Sequence, residues 1–128
     1  MRTGGHGLLQ DGARRLREST DRALLGLFGG NLLEMGQFLF GNERFLALLA
    51  SGPRKVHAFL ERLVDLHLKN LEGYLGAVGS SIDVIVFGDD LGMQTGPQIS
   101  PRMYREFFKP GHKRMWERVK KLTGPKVM

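Results

Sequence analysis

The sequence predicts an α/β domain in which parallel strands alternate with helices. Two apolar segments, ALLGLF at 23–28 and IDVIVF at 82–87, have strand character, and a long region of helical periodicity separates them. The second segment lacks polar alternation and is rich in β-branched residues, which is typical of a strand buried on both faces of a parallel sheet. Because helices alternate with strands along the chain, we expect right-handed βα units.

Helices are predicted for the region between the two strands. Asn31 and Glu34 have the spacing of a capping box, and Gly41 marks the end of the helix that this box would open. Asn42 can cap a second short helix. A third helix begins with Pro53 in its first turn. Its apolar stripe consists of Val56, Leu60, Leu63, Leu71, Leu75 and Val78.

A further helix follows the second strand and its glycine-rich loop. Ser100 and Pro101 are residue types that favour the N-cap and the first position of a helix. Pro110 removes a backbone donor, so we expect this helix to kink or restart near Lys109. The final segment, GPKVM at 124–128, predicts a turn followed by the start of another strand.

Composition excludes several classes of protein. A chain of 128 residues favours one domain, and no apolar run approaches the ~20 residues of a membrane span. There is no cysteine for disulfides or thiolate ligands. Without a recognisable signal segment, we expect a cytoplasmic protein that does not enter the membrane.

The positive charge of the chain is confined to its last part. Of the net charge of +6, residues 101–128 carry nine Lys and Arg against two Glu, so the remainder of the chain is close to neutral. These cations alternate with apolar residues at helical spacing. The solvated face of an amphipathic helix accounts for this pattern better than a nucleic-acid surface does, so nucleic acid is not an expected partner.

The candidate site lies where the strands end, because ligands of parallel α/β folds bind at the carboxyl ends of the strands. Asp89 and Asp90 follow the second strand, and we predict them as catalytic residues. Gly30 and Asn31 follow the first strand and Gln94 lies in the glycine loop, so these three are predicted to bind substrate. The alternative is that one aspartate stabilises the glycine turn while the other is solvated. Gly30 and Asn31 would likewise suit a plain tight turn.

The histidines do not predict a metal site. His57 and His67 lie ten residues apart and do not have the i, i+4 spacing of a helical metal pair, so we interpret both as surface or hydrogen-bonded histidines. His112 is assigned to the basic helix. No metal ligand is therefore predicted in the chain.

Two segments resemble the uroporphyrinogen decarboxylase family, which also includes cobalamin-dependent methyltransferases. They are LFGGNLLEMGQFLFG at 27–41 and VIVFGDDLGMQTGPQISPRMYREFFKP at 84–110, and the likeness extends over nearly the whole chain. The resemblance implies a (β/α)₈ barrel, a fold of about 250 residues. The chain, 1–128, is then expected to be one incomplete barrel domain that lacks N- and C-terminal strands. Alone it would be inactive and could associate into homo-oligomers.

The resemblance also implies roles for particular residues. The decarboxylases of the family place a substrate-contacting tyrosine in the helix after the FGG turn, where this chain has Phe38. They place a serine after the later strand, where it has Asp89 or Asp90. Uroporphyrinogen carries many carboxylates, so two anions and a lost hydroxyl make the match to this substrate worse.

These departures favour the methyltransferase branch for the intact parent enzyme. That branch implies a corrinoid and zinc, a small molecule or a corrinoid protein as partner, and zinc ligands beyond these residues. The chain itself is expected to hold no cofactor. Two alternatives stay open: a cofactor-free uroporphyrinogen decarboxylase of porphyrin biosynthesis, and a truncated remnant without catalytic activity.

Overall fold

Helices pack around a short parallel sheet in the computed structural model, which describes residues 4–123. The elements are α1 (Gly4–Ser19), β1 (Leu25–Gly29), α2 (Leu33–Phe40), α3 (Asn42–Ser51), α4 (Pro53–Val78), β2 (Val84–Phe87), β3 (Gly92–Met93), β4 (Gly96–Pro97), α5 (Pro101–Met103), a π-helical turn (Tyr104–Phe108) and α6 (Lys109–Thr123). Both predicted strands are confirmed. The strand predicted within GPKVM lies outside the described residues.

Strands β1 and β2 form a parallel pair, which confirms the predicted α/β class. Leu25 pairs with Val84 and Leu27 with Val86, and the register shifts between Leu27 and Gly29. Because the strands are parallel and Gly29 pairs with Phe87 after the shift, their carboxyl ends lie side by side. The loops predicted to carry the site are therefore neighbours.

The core lies between this sheet and the helices. All six residues of the stripe predicted on α4 are buried, and Gly41 ends α2 as expected. From the other helices, Phe45, Phe108, Met115 and Val119 are almost completely excluded from solvent. Burial of each such side chain contributes roughly 1.5–3 kcal/mol, so this layer is the main source of stability.

The opposite face of the sheet is open. Leu25 and Leu27 are 61% and 73% exposed, and in β2 only Ile85 is fully buried. The prediction that the second strand is buried on both faces is wrong for the residues that the structure describes. The apolar character of the strand reflects one buried face and one face that these residues leave uncovered.

The segment from α5 to α6 contains the predicted irregularity. The Ser100 side chain accepts a hydrogen bond from the Met103 amide at 3.1 Å, which confirms the predicted cap. The helix was expected to kink or restart near Lys109, and a π-helical turn does end at Phe108, with α6 beginning at Lys109. Because Pro110 cannot donate a backbone hydrogen bond, a wider turn is a common way to accommodate it.

The glycine loop after β2 contains a small hairpin that was not expected. Strands β3 and β4 pair antiparallel, Gly92 with Pro97 and Met93 with Gly96, so that Gln94 and Thr95 form the tip. Among the helices of residues 4–123, none is both long and apolar enough to cross a membrane.

Candidate functional site

Asp89 caps a helix that lies far from it in sequence. Its Oδ2 accepts hydrogen bonds from the Leu32 and Leu33 amides at 2.9 and 3.2 Å, and its Oδ1 accepts one from the Glu34 amide at 3.0 Å. These amides belong to the first turn of α2, where backbone donors have no partner within the helix. The backbone of Asp89 has a φ of +120°, a conformation that costs on the order of 1–3 kcal/mol in a residue with a side chain. The hydrogen bonds that Asp89 accepts from the start of α2 therefore offset the strain in the Asp89 backbone.

His112 provides the fourth donor to the Asp89 carboxylate. Its Nε2 lies 3.0 Å from Oδ2, and the side chains of His112 and Asp89 are only 5% and 3% exposed. On the other side of the ring, Nδ1 lies 3.1 Å from the Tyr104 hydroxyl. Three of these four contacts fall on Oδ2 and one on Oδ1, so most of the acceptor capacity of the carboxylate is used within the protein.

Burial and hydrogen bonding act in opposite directions on the Asp89 carboxylate. Burial alone would raise its pKa, but the hydrogen bond from His112 and those from the amides of Glu34, Leu32 and Leu33 outweigh burial and hold the pKa below the ordinary value. Burial, aided by the negative charge of Asp89, raises the pKa of the Tyr104 hydroxyl. At neutral pH Asp89 is therefore ionised and Tyr104 keeps its proton.

Asp90 has entirely different surroundings. It is exposed, and its Oδ1 accepts one hydrogen bond from the Gly92 amide at 3.1 Å, which stabilises the turn into the hairpin. Its backbone carbonyl accepts a bond from Gln98 Nε2 at 2.8 Å, and Gln98 Oε1 accepts one from Gln37 of α2 at 2.7 Å. The loop that begins at Asp90 is thereby tied to α2, while the second carboxylate oxygen faces solvent.

Gly30 and Asn31 lie at the end of β1, as predicted. A Cβ on Gly30 would approach the rings of Phe28 and Phe87 to 3.1 Å, and its φ of +69° suits glycine, so the position has a structural reason to be glycine. The Asn31 side chain donates to the Glu34 carboxylate, while the Asn31 carbonyl contacts Nε2 of His67 at 2.9 Å. The predicted capping box is wrong in detail, because Leu32 occupies the N-cap position and Asp89 supplies the capping oxygen.

The predicted site residues do not all meet at one place. Gly30 and Asn31 line a cavity of about 450 Å³ together with His67 and Tyr74, and the lining includes neither Asp90 nor Gln94. Gln94 is exposed at the hairpin tip. Phe38 is 77% exposed on α2, one residue beyond the Gln37 that is linked to the Asp90 loop. The site is thus an open surface at the strand ends, beside a separate cavity.

Sequence reasoning missed Tyr104 and His112. A signal for His112 was present, since Phe108, His112, Met115 and Val119 recur at i, i+4, i+7 and i+11 and all are buried. A histidine on the apolar stripe of a helix requires a polar partner inside the protein. Asp89 and Tyr104 are those partners.

The described residues do not form a metal centre. No group of three His, Asp or Glu side chains within residues 4–123 is arranged to ligate a metal ion, and the sequence contains no cysteine. His67 is hydrogen-bonded as expected. His57 stacks on Phe107 and lies 3.7 Å from Glu106.

A parallel strand pair packed against helices defines a protein of mixed α/β class. Comparison with family models makes the assignment specific: residues 6–128 match the model of uroporphyrinogen decarboxylase (URO-D), so the chain belongs to that family. The resemblance seen in the two motifs is thereby confirmed. Neither the curated proteins nor the solved structures contain a match.

Proposed function

We propose that these residues form part of the ligand-binding end of a (β/α)₈ barrel enzyme of this family, and that the intact parent acts in corrinoid-dependent methyl transfer. The observation that carries the proposal is Asp90, an exposed carboxylate with a solvent-facing oxygen at the end of β2. Ligand sites of such barrels are built from the loops at this end of the strands. The parallel pair of β1 and β2 supports a partial barrel, since within residues 4–123 neither strand has a further partner on its outer edge.

The chemical character of this surface supports a corrinoid over uroporphyrinogen. Asp90 and Gln94 present exposed oxygen acceptors in the loop that follows β2, and Glu34 adds a carboxylate in the first turn of α2. A corrinoid has a similar size but carries amide N–H donors at its periphery, whereas uroporphyrinogen carries carboxylates. Carboxylates on both sides of an interface repel each other, so the amide-bearing ring suits this surface better.

Phe38 gives independent support for the same choice. Its ring is exposed on α2 and offers a flat apolar surface but no hydroxyl. The decarboxylases that the motif resembles have a tyrosine at the matching position. A substrate that needs that hydroxyl would lose a hydrogen bond here.

Zinc does not fit the residues present, because the described part of the chain offers no three-ligand cluster. We therefore derive no step through zinc. A bound corrinoid supplies the methyl group, and the residues of this chain act only in binding it. In this proposal Asp90 accepts hydrogen bonds from the ligand and Asp89 holds the loop in place.

Uroporphyrinogen decarboxylation is the second candidate function. The observation in its favour is the match of residues 6–128 to a family that is named for this activity. A remnant that binds neither tetrapyrrole is the third reading. These three proposed functions differ in the ligand that the chain should bind.

Isothermal titration of the chain with hydroxocobalamin and with uroporphyrin separates these functions. We expect hydroxocobalamin to bind more tightly, and Asp90→Asn to weaken its binding about tenfold, since a hydrogen bond to a charged group contributes roughly 1.5–3 kcal/mol. Asp11→Asn, which removes another exposed carboxylate on α1, is the matched control and should leave the affinity unchanged. Tighter binding of uroporphyrin would support the decarboxylase, and no binding of either compound would support the remnant.

A further inference from the structure

We propose that His112 is a positioning residue of this site, which holds the Asp89 and Asp90 loop in the orientation that presents Asp90 to the ligand, and that the Tyr104 hydroxyl is the partner of its other ring nitrogen. The inference rests on the proposed function only where it assigns ligand contact to Asp90. Its remaining parts concern hydrogen bonds within the protein. They are testable without any ligand.

The proton positions in this cluster follow from the ionised state of Asp89. An ionised Asp89 has no proton to donate, so the hydrogen between its Oδ2 and His112 must lie on Nε2 of the ring. In a neutral imidazole Nδ1 then has a free lone pair. The Tyr104 hydroxyl, 3.1 Å away, donates to that lone pair. The chain of donors therefore runs from Tyr104 through His112 to Asp89.

The backbone around His112 is adapted to bring the ring to Asp89. The π-helical turn before Pro110 changes the direction in which the following residues face. Gly111 lets α6 approach closely, because a Cβ there would lie 2.8 Å from Val64 and 2.9 Å from Leu32. Leu32 is also one of the residues whose amide Asp89 caps, so this contact brings α6 to the start of α2.

Two rings hold the imidazole in place. Trp116 stacks on His112 with ring centroids 5.5 Å apart and planes 11° apart, and Tyr104 lies at 5.7 Å. The ring is therefore fixed by stacking as well as by its two polar partners. The arrangement is typical of a histidine whose tautomer and direction both matter.

The position of Asp90 depends on this cluster through the backbone. Asp89 is held by amides of α2 on one side and by His112 on the other, at a φ of +120°. The peptide that joins Asp89 to Asp90 is thereby fixed as well. If His112 is lost, Asp89 can relax towards a commoner conformation, and the side chain of Asp90 turns with it.

Three variants test the inference: His112→Gln, His112→Leu and Tyr104→Phe. The amide nitrogen of Gln can occupy the place of Nε2 and donate to Asp89, whereas Leu cannot. We expect His112→Leu to weaken hydroxocobalamin binding about tenfold and His112→Gln to restore it to within about threefold of the wild type. Amide NMR signals of Asp90 and Gly92 should shift in the Leu variant and stay near their wild-type positions in the Gln variant.

The ring nitrogens of His112 report directly on the proton positions inferred above. In ¹⁵N spectra of the wild type, His112 should carry its proton on Nε2, and Tyr104→Phe should keep this tautomer while the Nδ1 signal shifts, because Nδ1 loses its hydrogen-bond donor. A proton on Nδ1 in the wild type would overturn the inference, even if His112→Leu proves too unstable to study. So would a folded His112→Leu variant with wild-type amide shifts at Asp90 and wild-type affinity. If the wild type binds no hydroxocobalamin, the proposed function fails, and the tautomer and the amide shifts still decide the role of His112.

Discussion

Asp89 and Asp90 are adjacent in sequence, yet they belong to different regions of the molecule. The carboxylate of Asp89 is buried and accepts four hydrogen bonds from α2 and α6. That of Asp90 is exposed and accepts one, from Gly92. The difference shows that two identical side chains at a strand end need not share a role. One can hold the scaffold while its neighbour remains available to a ligand.

Removal of the Asp89 carboxylate should have the largest effect on stability. Asp89→Ala leaves the first turn of α2 without its cap and the His112 N–H without an acceptor, so we expect the free energy of unfolding to fall by about 2–4 kcal/mol. Urea denaturation followed by circular dichroism measures this change. Asp90→Ala is the control and should change the value by less than about 1 kcal/mol. Equal losses in the two variants would remove the distinction between the carboxylates.

The close approach of α6 to the Asp89 region can be disturbed at Gly111. In Gly111→Ala the new methyl group would lie within 3 Å of Val64 and Leu32, so we expect a loss of roughly 1–3 kcal/mol in urea denaturation. Gly76→Ala on α4 is the matched control, since among the described residues no atom outside its own stretch of helix lies within 4 Å of its Cβ position. There the helix should become more stable by about 0.5–1 kcal/mol. A neutral Gly111→Ala would mean that α6 does not need this contact.

Ser100 offers a local cap for comparison with the distant cap provided by Asp89. Its hydroxyl accepts from the Met103 amide, three residues on, and Ser100 is exposed. Ser100→Ala should therefore cost about 1 kcal/mol in the same assay, less than Asp89→Ala. A larger cost at Ser100 would show that the α5 turn, rather than α2, is the more important helix start.

The charge of Asp89 should make stability depend on pH at the acid end. Because its pKa in the folded protein lies below the ordinary value, ionised Asp89 stabilises the fold fully above the ordinary carboxyl range, and this contribution is lost as the pH falls through the lowered pKa. Unfolding experiments between pH 7 and about pH 2 should show the wild type and Asp89→Asn converging as the pH falls. A constant difference between the two over this range would mean that the charge of Asp89 contributes nothing.

Local patterns predicted much of the fold. The stripe on α4, the Ser100 cap and the strand at 82–87 follow from spacings of a few residues, and the structure contains each of them. Such features depend on contacts between near neighbours, which periodicity and capping rules describe well.

The organisation of the site could not be predicted in the same way. Asp89 caps α2 across 55 to 57 residues of sequence, and local spacing offered Asn31 as a cap instead. The burial of His112 was not predicted, because the lysines and arginines around it suggested a solvated helix. Two long-range contacts, from Asp89 to α2 and from Asp89 to His112, decided which aspartate is buried.

The central claim is that Asp90, and not Asp89, meets the ligand. The most direct test is to follow the ¹³C signals of both carboxyl carbons while hydroxocobalamin is added to the labelled chain. The account predicts that the Asp90 carbon shifts with ligand concentration while the Asp89 carbon stays in place. A shift at Asp89 without one at Asp90 would contradict it.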